Sequence, residues 1–228
     1  MMHRRDVLAT GAGLSTALVA GCLTGRLSGD DAAEHAVLEP PEDSKLHGDD
    51  YAYPTYGDPF PTIELPDPLA ETDVNTDSFG DDCLVCTAFY ATCPAECIPL
   101  MQALAQVQAE SIERGVDDSV QFIAVTFDPE RDTPDELRDH ADMVNIDLEA
   151  GNWNYLRPAD ADEAESVVND DLGILFEREG EGETAEFMHI TVTFLVNPDG
   201  YVERSYRGEN PSVEQISDDL EAVVEATN

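Results

Sequence analysis

The sequence feature that most constrains the fold is a nearly continuous apolar run, VQFIAVTF, at residues 120–127. A strand of this composition has both faces buried, which is typical of a parallel sheet covered by helices on both sides. CLVCTAFYA, at 83–91, predicts another strand, and the apolar residues between the two runs recur at helical spacing: Leu100, Leu104, Val107 and Ile112. We therefore expect a strand, a helix and a second strand in succession.

The downstream sequence continues this alternation. TPDELRDHADMV begins with the Thr-x-x-Glu pattern of a capping box, GNWNYL indicates a short strand, and DADEAESVVNDDLG indicates a helix that ends at Gly173. TVTFLVNPDGYVERSYRG predicts two strands around an Asn-Pro-Asp-Gly turn, and a last helix starts at Asn210-Pro211. This order predicts an α/β fold of the thioredoxin-like type, with a central mixed β-sheet flanked by helices.

The N-terminus, MMHRRDVLATGAGLSTALVAGC, is typical of a targeting segment. The apolar run after the twin arginine, Arg4 and Arg5, is too short for a convincing membrane span. The small residues before Cys22 resemble a lipobox, so residues 1–21 are interpreted as a twin-arginine lipoprotein signal peptide and Cys22 as the lipidation site. We expect export by the twin-arginine route and a lipid anchor at the outer face of the cell membrane. A plain cleaved signal with an incidental cysteine is the alternative.

The mature chain is expected to have two parts. Residues 22–57 are acidic and poor in apolar periodicity, which indicates a flexible tether. Residues 58–228 are expected to form the one folded domain. The Pro-rich stretch at its start predicts N-terminal extended or hairpin additions along the edge of the domain, with Ile63 and Leu65 facing inward.

The chain has 50 acidic and 11 basic residues and a formal net charge of −39. Self-repulsion of this size strains a compact fold in dilute buffer and is screened where salt is molar. We interpret the charge as that of a protein from a hypersaline habitat. The alternative is an ordinary domain with a long acidic disordered tail, which the spread of carboxylates through every segment disfavours. The same charge excludes nucleic acid as a partner.

Two of the five cysteines, Cys93 and Cys97, flank Pro-Ala-Glu where the first predicted strand turns into a helix. Residues four apart on a helix lie on one face, so the two sulfurs can form a disulfide or bind one soft metal ion. The helix N-terminus is expected to lower the pKa values of both thiols.

Cys83 and Cys86 have the spacing of a metal-binding pair, but they lie in a predicted strand. Residues three apart in a strand point to opposite faces and are about 10 Å apart. We expect both to be small buried hydrophobic residues. A second disulfide, or a redox partnership with Cys93 and Cys97, is the alternative.

Three motifs together resemble the Sco (SenC) copper proteins: FYATCPAECIPLM, VTFDPERDTPDELRDHA and FMHITVTFLVNPDGYVERSYRG. The resemblance covers residues 58–226, with the motifs in the family's order. It implies a thioredoxin-like domain that helps to assemble the copper A centre of cytochrome c oxidase. The implied partner is the copper-bearing subunit of that oxidase.

The resemblance also implies the residues of the site. By position, the copper ligands are Cys93, Cys97 and His189, and copper is expected as Cu(I) or Cu(II). Two thiolates and an imidazole suit this ion, although zinc with a water molecule could use the same three ligands. An acidic residue of the DPERDT segment is expected to support the site; Asp128 is the favoured match and Asp132 the less favoured one. Met188 could add a thioether ligand, but it is expected to pack instead.

Two classes of function remain open. In the first, the protein is a metallochaperone that holds copper and passes it to the oxidase subunit. In the second, it is a thiol-disulfide oxidoreductase whose redox pair, Cys93 and Cys97, reduces cysteines of that subunit. His189 favours the first, because disulfide exchange needs only thiols whereas a metal site gains a third ligand. A peroxiredoxin-like peroxidase is disfavoured because the Thr-x-x-Cys motif is missing.

Overall fold

The structure is a computed structural model that describes residues 34–41, 51–180, 182 and 185–227. The predicted signal peptide at 1–21, the predicted lipidation site Cys22 and parts of the predicted tether lie outside these residues. None of the helices formed by the described residues is long and apolar enough to cross a membrane.

A five-stranded mixed sheet forms the centre of the domain. The strands of the described chain are β1 (Glu64–Asp67), β2 (Thr72–Asn75), β3 (Cys83–Phe89), β4 (Val120–Thr126), β5 (Trp153–Leu156), β6 (Phe176–Glu179), β7 (Glu186–His189), β8 (Val192–Val196) and β9 (Val202–Arg207). The central sheet has the order β5-β4-β3-β8-β9. β3, β4 and β5 are parallel, whereas β8 is antiparallel to β3 and β9 is antiparallel to β8.

The described chain has four α-helices; the first three lie between strands of the sheet in the sequence, and the last follows β9. They are α1 (Cys97–Arg114), α2 (Pro134–Val144), α3 (Ala161–Ala164) and α4 (Val213–Thr227), and α1 packs against both α2 and α4. The predicted α/β class, with a central mixed sheet flanked by helices, is confirmed. All seven residues of β3 are buried, as expected for a strand covered on both faces.

The helix ends agree with the sequence signals. The Thr133 side chain accepts a hydrogen bond from the Glu136 backbone N–H at the start of α2, as the capping box predicts. Gly115 ends α1 with φ of +72°, in the left-handed region. The helix predicted from the spacing of these apolar residues is confirmed as α1: Leu100, Leu104 and Val107 are buried, whereas Ile112 in the last turn is 40% exposed.

The helix predicted before Gly173 has an irregular form. It is α-helical only over α3 and continues as a π-helix over Glu165–Asp171. Two antiparallel hairpins, β1–β2 and β6–β7, lie outside the central sheet. The first agrees with the predicted N-terminal additions and buries Ile63 and Leu65 at its start. The second has no counterpart among the predicted elements.

Two parts of the predicted tether, 34–41 and 51–57, contact the domain. The Gly57 N–H donates to the Val202 carbonyl, and the Val202 N–H donates to the Asp58 carbonyl, so the chain near residue 57 pairs with the outer strand β9. These contacts cover an edge that would otherwise offer unpaired backbone groups.

Gly173→Ala is expected to destabilise the protein more than its control, Gly151→Ala. Both glycines have φ in the left-handed region, at +66° and +77°, which costs an alanine about 1–2 kcal/mol. A Cβ at residue 173 would also lie 2.2 Å from the Ala52 carbonyl oxygen, whereas a Cβ at residue 151 would meet open space.

Denaturant unfolding at one salt concentration measures this difference. The free energy of unfolding should fall by at least about 1 kcal/mol more in Gly173→Ala than in Gly151→Ala. Equal losses in the two variants would show that the chain around Ala52 is not pressed against Gly173.

The charge gives a second prediction about stability. With 50 acidic and 11 basic residues, most carboxylates repel one another without a cationic partner. The Debye length falls from about 10 Å at 0.1 M salt to about 3 Å at 1 M, so molar salt screens this repulsion. We expect the melting temperature to rise steeply between these concentrations of KCl. Equal rises in KCl and in an osmolyte of matched water activity would contradict a charge-screening cause.

Candidate metal site

Three elements meet at one end of the central sheet, which we call the site end. β3 and β4 finish there, and β8 begins there because it runs antiparallel to β3. Cys93 lies in the turn after β3, Cys97 is the first residue of α1, and His189 is the last residue of β7, just before β8. The topology therefore brings His189 to a cysteine 92 residues away in the sequence.

The ligand atoms of Cys93, Cys97 and His189 all lie within 4.8 Å of one another. Cys97 Sγ is 3.7 Å from His189 Nε2. Atoms bound to a trigonal metal ion by bonds of about 2.3 Å are about 4 Å apart, so these three side chains can hold one ion with little movement. Both cysteines are buried and the histidine is partly buried. The structure brings the predicted ligands together, and ligation itself stays a prediction.

The sulfur of Cys93 accepts hydrogen bonds from the chain around it. The Cys97 backbone N–H donates to it at 3.4 Å, and the Ala95 N–H donates as well. α1 begins at Cys97, so the expectation that both cysteines lie on one face of the helix is wrong. Cys93 instead precedes the helix, and its sulfur accepts from the first residue of the helix, Cys97, and from Ala95 in the preceding turn.

The pKa values of the two thiols are shifted in opposite directions. A hydrogen bond from the Cys97 thiol, helped by His189 and the two backbone N–H groups, lowers the pKa of Cys93 to about 3 although burial opposes this. The same hydrogen bond, together with burial, raises the pKa of Cys97 far above its ordinary value. The expectation that the helix start lowers both pKa values is therefore wrong for Cys97.

The imidazole of His189 completes this arrangement. Burial by itself disfavours the charged ring, but hydrogen bonds to the Cys93 sulfur and the Ile190 carbonyl outweigh it and raise the pKa of His189. Nδ1 is 3.3 Å from the Ile190 carbonyl oxygen, which leaves Nε2 facing the sulfurs. A ring held through one nitrogen presents the other as a ligand.

Aromatic side chains surround the histidine, and the sequence did not identify them as part of the site. The rings of Tyr90 and Phe127 lie 6.0 and 5.2 Å from the His189 ring, between centroids. The Tyr90 hydroxyl also forms a hydrogen bond with Cys93, and burial raises the pKa of Tyr90. Tyr90 is within the motif FYATCPAEC, but its apolar neighbours predicted only strand packing.

Asp128, the carboxylate favoured as the supporting residue, contacts an arginine. It is buried and forms an ion pair with Arg131. The Arg131 guanidinium lies 5.7 Å from the centre of the Tyr90 ring and donates to the Ala185 carbonyl at 2.8 Å. Asp128 can therefore influence the orientation of Tyr90, while the three candidate ligands lie beyond its direct contacts.

Asp132, the less favoured match, contacts the turn that precedes Cys93. It accepts a hydrogen bond from the Ala91 N–H at 2.9 Å and another from the Thr126 hydroxyl. Burial raises the pKa of Asp132 to about 7. Because Ala91 is two residues before Cys93, this carboxyl fixes the turn that carries the first sulfur.

Of the described residues, Cys83, Cys86 and Met188 lie outside the group of three ligands. Cys83 and Cys86 are buried in β3 with free thiols, which agrees with the expectation of small hydrophobic residues. Burial raises the pKa of Cys83 to about 12 and also raises that of Cys86, so both stay protonated. Met188 was expected to pack, which is wrong: it is 62% exposed, because alternate residues of β7 face outward.

The fold resembles several solved structures. A SCO1/SenC family lipoprotein from Bacillus anthracis is 22% identical, with a TM-score of 0.62 over 72% of this chain and 94% of the other. Arabidopsis thaliana ScoI with copper bound is 20% identical, with a TM-score of 0.55 over 74% and 95%.

A third structure is that of BsSco, a member of the Sco family of cytochrome c oxidase assembly proteins in which a disulfide switch was identified. It is 20% identical, with a TM-score of 0.61 over 73% of this chain and 95% of the other. These similarities confirm the thioredoxin-like fold.

No curated protein sequence matches the chain. A family model described as SCO1/SenC matches residues 67–225, which include all three candidate ligands. The protein therefore belongs to the SCO1/SenC family.

Proposed function

We propose that this protein is a copper chaperone, which binds copper through Cys93, Cys97 and His189 and delivers it for assembly of the copper A centre of cytochrome c oxidase. The observation that carries this proposal is the convergence of the three ligand atoms within 4.8 Å. It supports copper in a family whose relatives from a plant, a bacterium and yeast hold that metal.

The donor set suits the cargo. Thiolates are soft ligands that select Cu(I), and an imidazole accommodates both copper oxidation states. Cys93 is already a thiolate at neutral pH, whereas Cys97 gives up its proton when the metal binds. The buried aromatic rings of Tyr90 and Phe127 limit the access of water to the bound ion.

The proposed partner is the copper-bearing subunit of the oxidase. The support is that the family relative BsSco is a cytochrome c oxidase assembly protein. For the location, we propose export by the twin-arginine route and a lipid on Cys22 at the outer membrane face. The Bacillus anthracis relative, which is a lipoprotein, supports the anchor.

Thiol-disulfide exchange is the second candidate function, and the acidity of Cys93 favours it. A thiolate attacks one sulfur of a partner disulfide and releases the other as a thiolate, and the resulting mixed disulfide is resolved by a second thiol. Here Cys93 would attack and Cys97 would resolve, which leaves the partner reduced and this pair oxidised. The partner then has two thiols with which to accept copper.

A titration with Cu(I) under a competing chelator tests the main proposal. The reduced domain should bind one Cu(I), and His189→Ala should weaken binding by more than the roughly 10–100-fold typical of substitutions outside the ligand set. His35→Ala is the matched control, because His35 stacks on Tyr201 at the other end of the sheet.

The control should bind Cu(I) with the affinity of the wild-type protein. Equal affinities in the wild-type protein and His189→Ala would remove the histidine from the site. Binding that survives replacement of both cysteines as well would overturn the copper proposal altogether.

The low pKa of Cys93 gives a prediction for its reactivity. The rate of alkylation by iodoacetamide should be nearly constant between about pH 5 and 8, a range over which an ordinary thiol of pKa near 8.5 speeds up several hundred-fold. Cys97→Ala should restore more of this pH dependence than His189→Ala, because the Cys97 hydrogen bond is the largest cause of the lowered pKa.

Mass spectrometry of peptides locates the label. Cys83 and Cys86 serve as internal controls and should stay unlabelled in the folded protein, because they are buried and protonated. A steep pH dependence at Cys93 in the wild-type protein would contradict the hydrogen-bonded thiolate and weaken the redox candidate.

A further inference from the structure

We propose that residues 34–41, which we call the strap, are held at the end of the sheet opposite the metal site, so that a membrane-anchored N-terminus presents that site away from the bilayer. The membrane anchor rests on the proposed function. The seating of the strap rests on contacts of the described residues alone.

The strap is bound by a buried carboxylate. Glu203 is fully buried, and its two carboxylate oxygens accept hydrogen bonds from the backbone N–H groups of Val37 at 2.7 Å and Leu38 at 2.9 Å. The Asn197 side-chain amide donates to the same carboxylate at 2.6 Å. A buried carboxylate is costly without such donors. The strap therefore supplies two of the hydrogen bonds that make this burial acceptable.

The position of Glu203 in its strand explains why it can serve in this way. The pairing of β8 with β9 passes from Leu195↔Arg204 to Val196↔Val202, which leaves Glu203 as the extra residue of a β-bulge. A bulge turns a side chain away from the regular alternation of the strand. The carboxylate is thereby directed toward Asn197 and the strap.

Further contacts bind the strap mainly through its backbone. The Asn197 amide donates to the His35 carbonyl at 2.9 Å, and the Tyr56 hydroxyl donates to the Leu38 carbonyl at 2.6 Å. The His35 ring stacks on Tyr201, with centroids 4.2 Å apart. Because these hydrogen bonds use main-chain groups of the strap, they depend little on the identity of its side chains.

The strap and the metal site lie at opposite ends of β8. Val192 begins β8 three residues after His189, whereas Val196 and Asn197 are at its other end, opposite Leu84 near the start of β3. A seven-residue strand such as β3 spans about 20 Å. The residues that bind the strap are therefore separated from the metal site by about the length of the sheet.

The path of the chain after the strap shows how the strap changes the point at which the N-terminal chain joins the domain. Tyr51 lies under the guanidinium of Arg207, at the end of β9 that is nearer the metal site. Pro54 then contacts Ser205, and Gly57 contacts Val202, so this segment runs along β9 toward the far end. Without the strap, the chain would join the domain at the metal-site end. With the strap seated, it joins at the opposite end.

The segment between Cys22 and the strap is short, so the point of attachment affects how the domain is oriented on the membrane. Eleven residues, 23–33, separate Cys22 from the strap. Such a segment spans about 40 Å at full extension. A domain of this size is about 40 Å across, so a path around its surface from one end to the other is about 60 Å. The seated strap therefore prevents the metal site from turning fully toward the membrane.

Energy transfer to a labelled bilayer tests the orientation. The chain from residue 22 onward is attached to phosphatidylcholine vesicles through a lipid ligated to its N-terminus, so the result is independent of lipidation in the cell. The vesicles contain a dansyl-labelled headgroup as the acceptor. Trp153, the single tryptophan, is the donor near the strap end. Met188→Trp in a Trp153→Phe background places the donor at the metal-site end.

Transfer should be greater from Trp153 than from the tryptophan introduced by Met188→Trp. Val37→Pro removes the N–H that donates to Glu203 and should abolish this difference, while Val37→Ala, which keeps the N–H, should preserve it. Hydrogen exchange at the Leu38 amide should quicken in Val37→Pro only. Equal transfer from the two donors with the strap intact, or a difference that survives Val37→Pro, would overturn the proposal.

The copper proposal is tested separately on the same variants. Val37→Pro leaves the metal ligands untouched, so its affinity for Cu(I) should equal that of the wild-type protein. Loss of orientation with unchanged copper binding is the expected result. A wild-type protein that binds no copper but keeps the difference in transfer would contradict the proposed function and leave the strap proposal standing.

Discussion

The hydrogen bond from the Cys97 N–H to the sulfur of Cys93 fixes the turn between β3 and α1, and the metal site depends on it. It places the first sulfur at the positive end of α1, where a thiolate is stable. A stable thiolate at Cys93 in turn holds the proton of Cys97 and attracts the ring of His189. The three groups therefore share a proton, and a metal ion bound by them would displace it.

How much the sequence could predict depends on how local each signal was. The buried runs of β3 and β4 and the capping box of α2 lie within single segments, and their predictions are confirmed. Hairpin β6–β7 has no such local signal, because it is held from outside, by Asn169 and by the ring of Phe127 stacked on Phe176. The two cysteines were predictable from their spacing, whereas His189 needed the family resemblance. The roles of Asp128 and Asp132 needed coordinates, because they share one short motif and differ only in where their side chains point.

Both candidate functions use the sulfurs of Cys93 and Cys97, so the protein could not perform both at the same moment. Copper binding uses the reduced pair, whereas a disulfide between Cys93 and Cys97 consumes both sulfur ligands and leaves only the imidazole. If copper binds as proposed, loading would follow reduction of the pair, and oxidation of the pair would remove two of the three ligands. His189 is the one ligand that disulfide formation does not consume, so its contribution to affinity separates the two functions more clearly than either cysteine can.

Buried carboxylates hold the irregular segments of this acidic chain. Asp67 accepts N–H groups of the β1–β2 turn, Asp58 accepts the Thr55 N–H, Asp132 accepts the Ala91 N–H, and Glu203 accepts two from the strap. Asp128 is a fifth buried carboxylate, and among the ion pairs of the described residues it is the buried one that pairs with an arginine. Cations are scarce here, with 11 lysines and arginines against 50 acidic residues, so backbone amides take their place. Neutral donors lose less strength to salt than exposed ion pairs do. The turn that carries Cys93 and the strap at the opposite end of the sheet are thus held by the kind of interaction that molar salt weakens least.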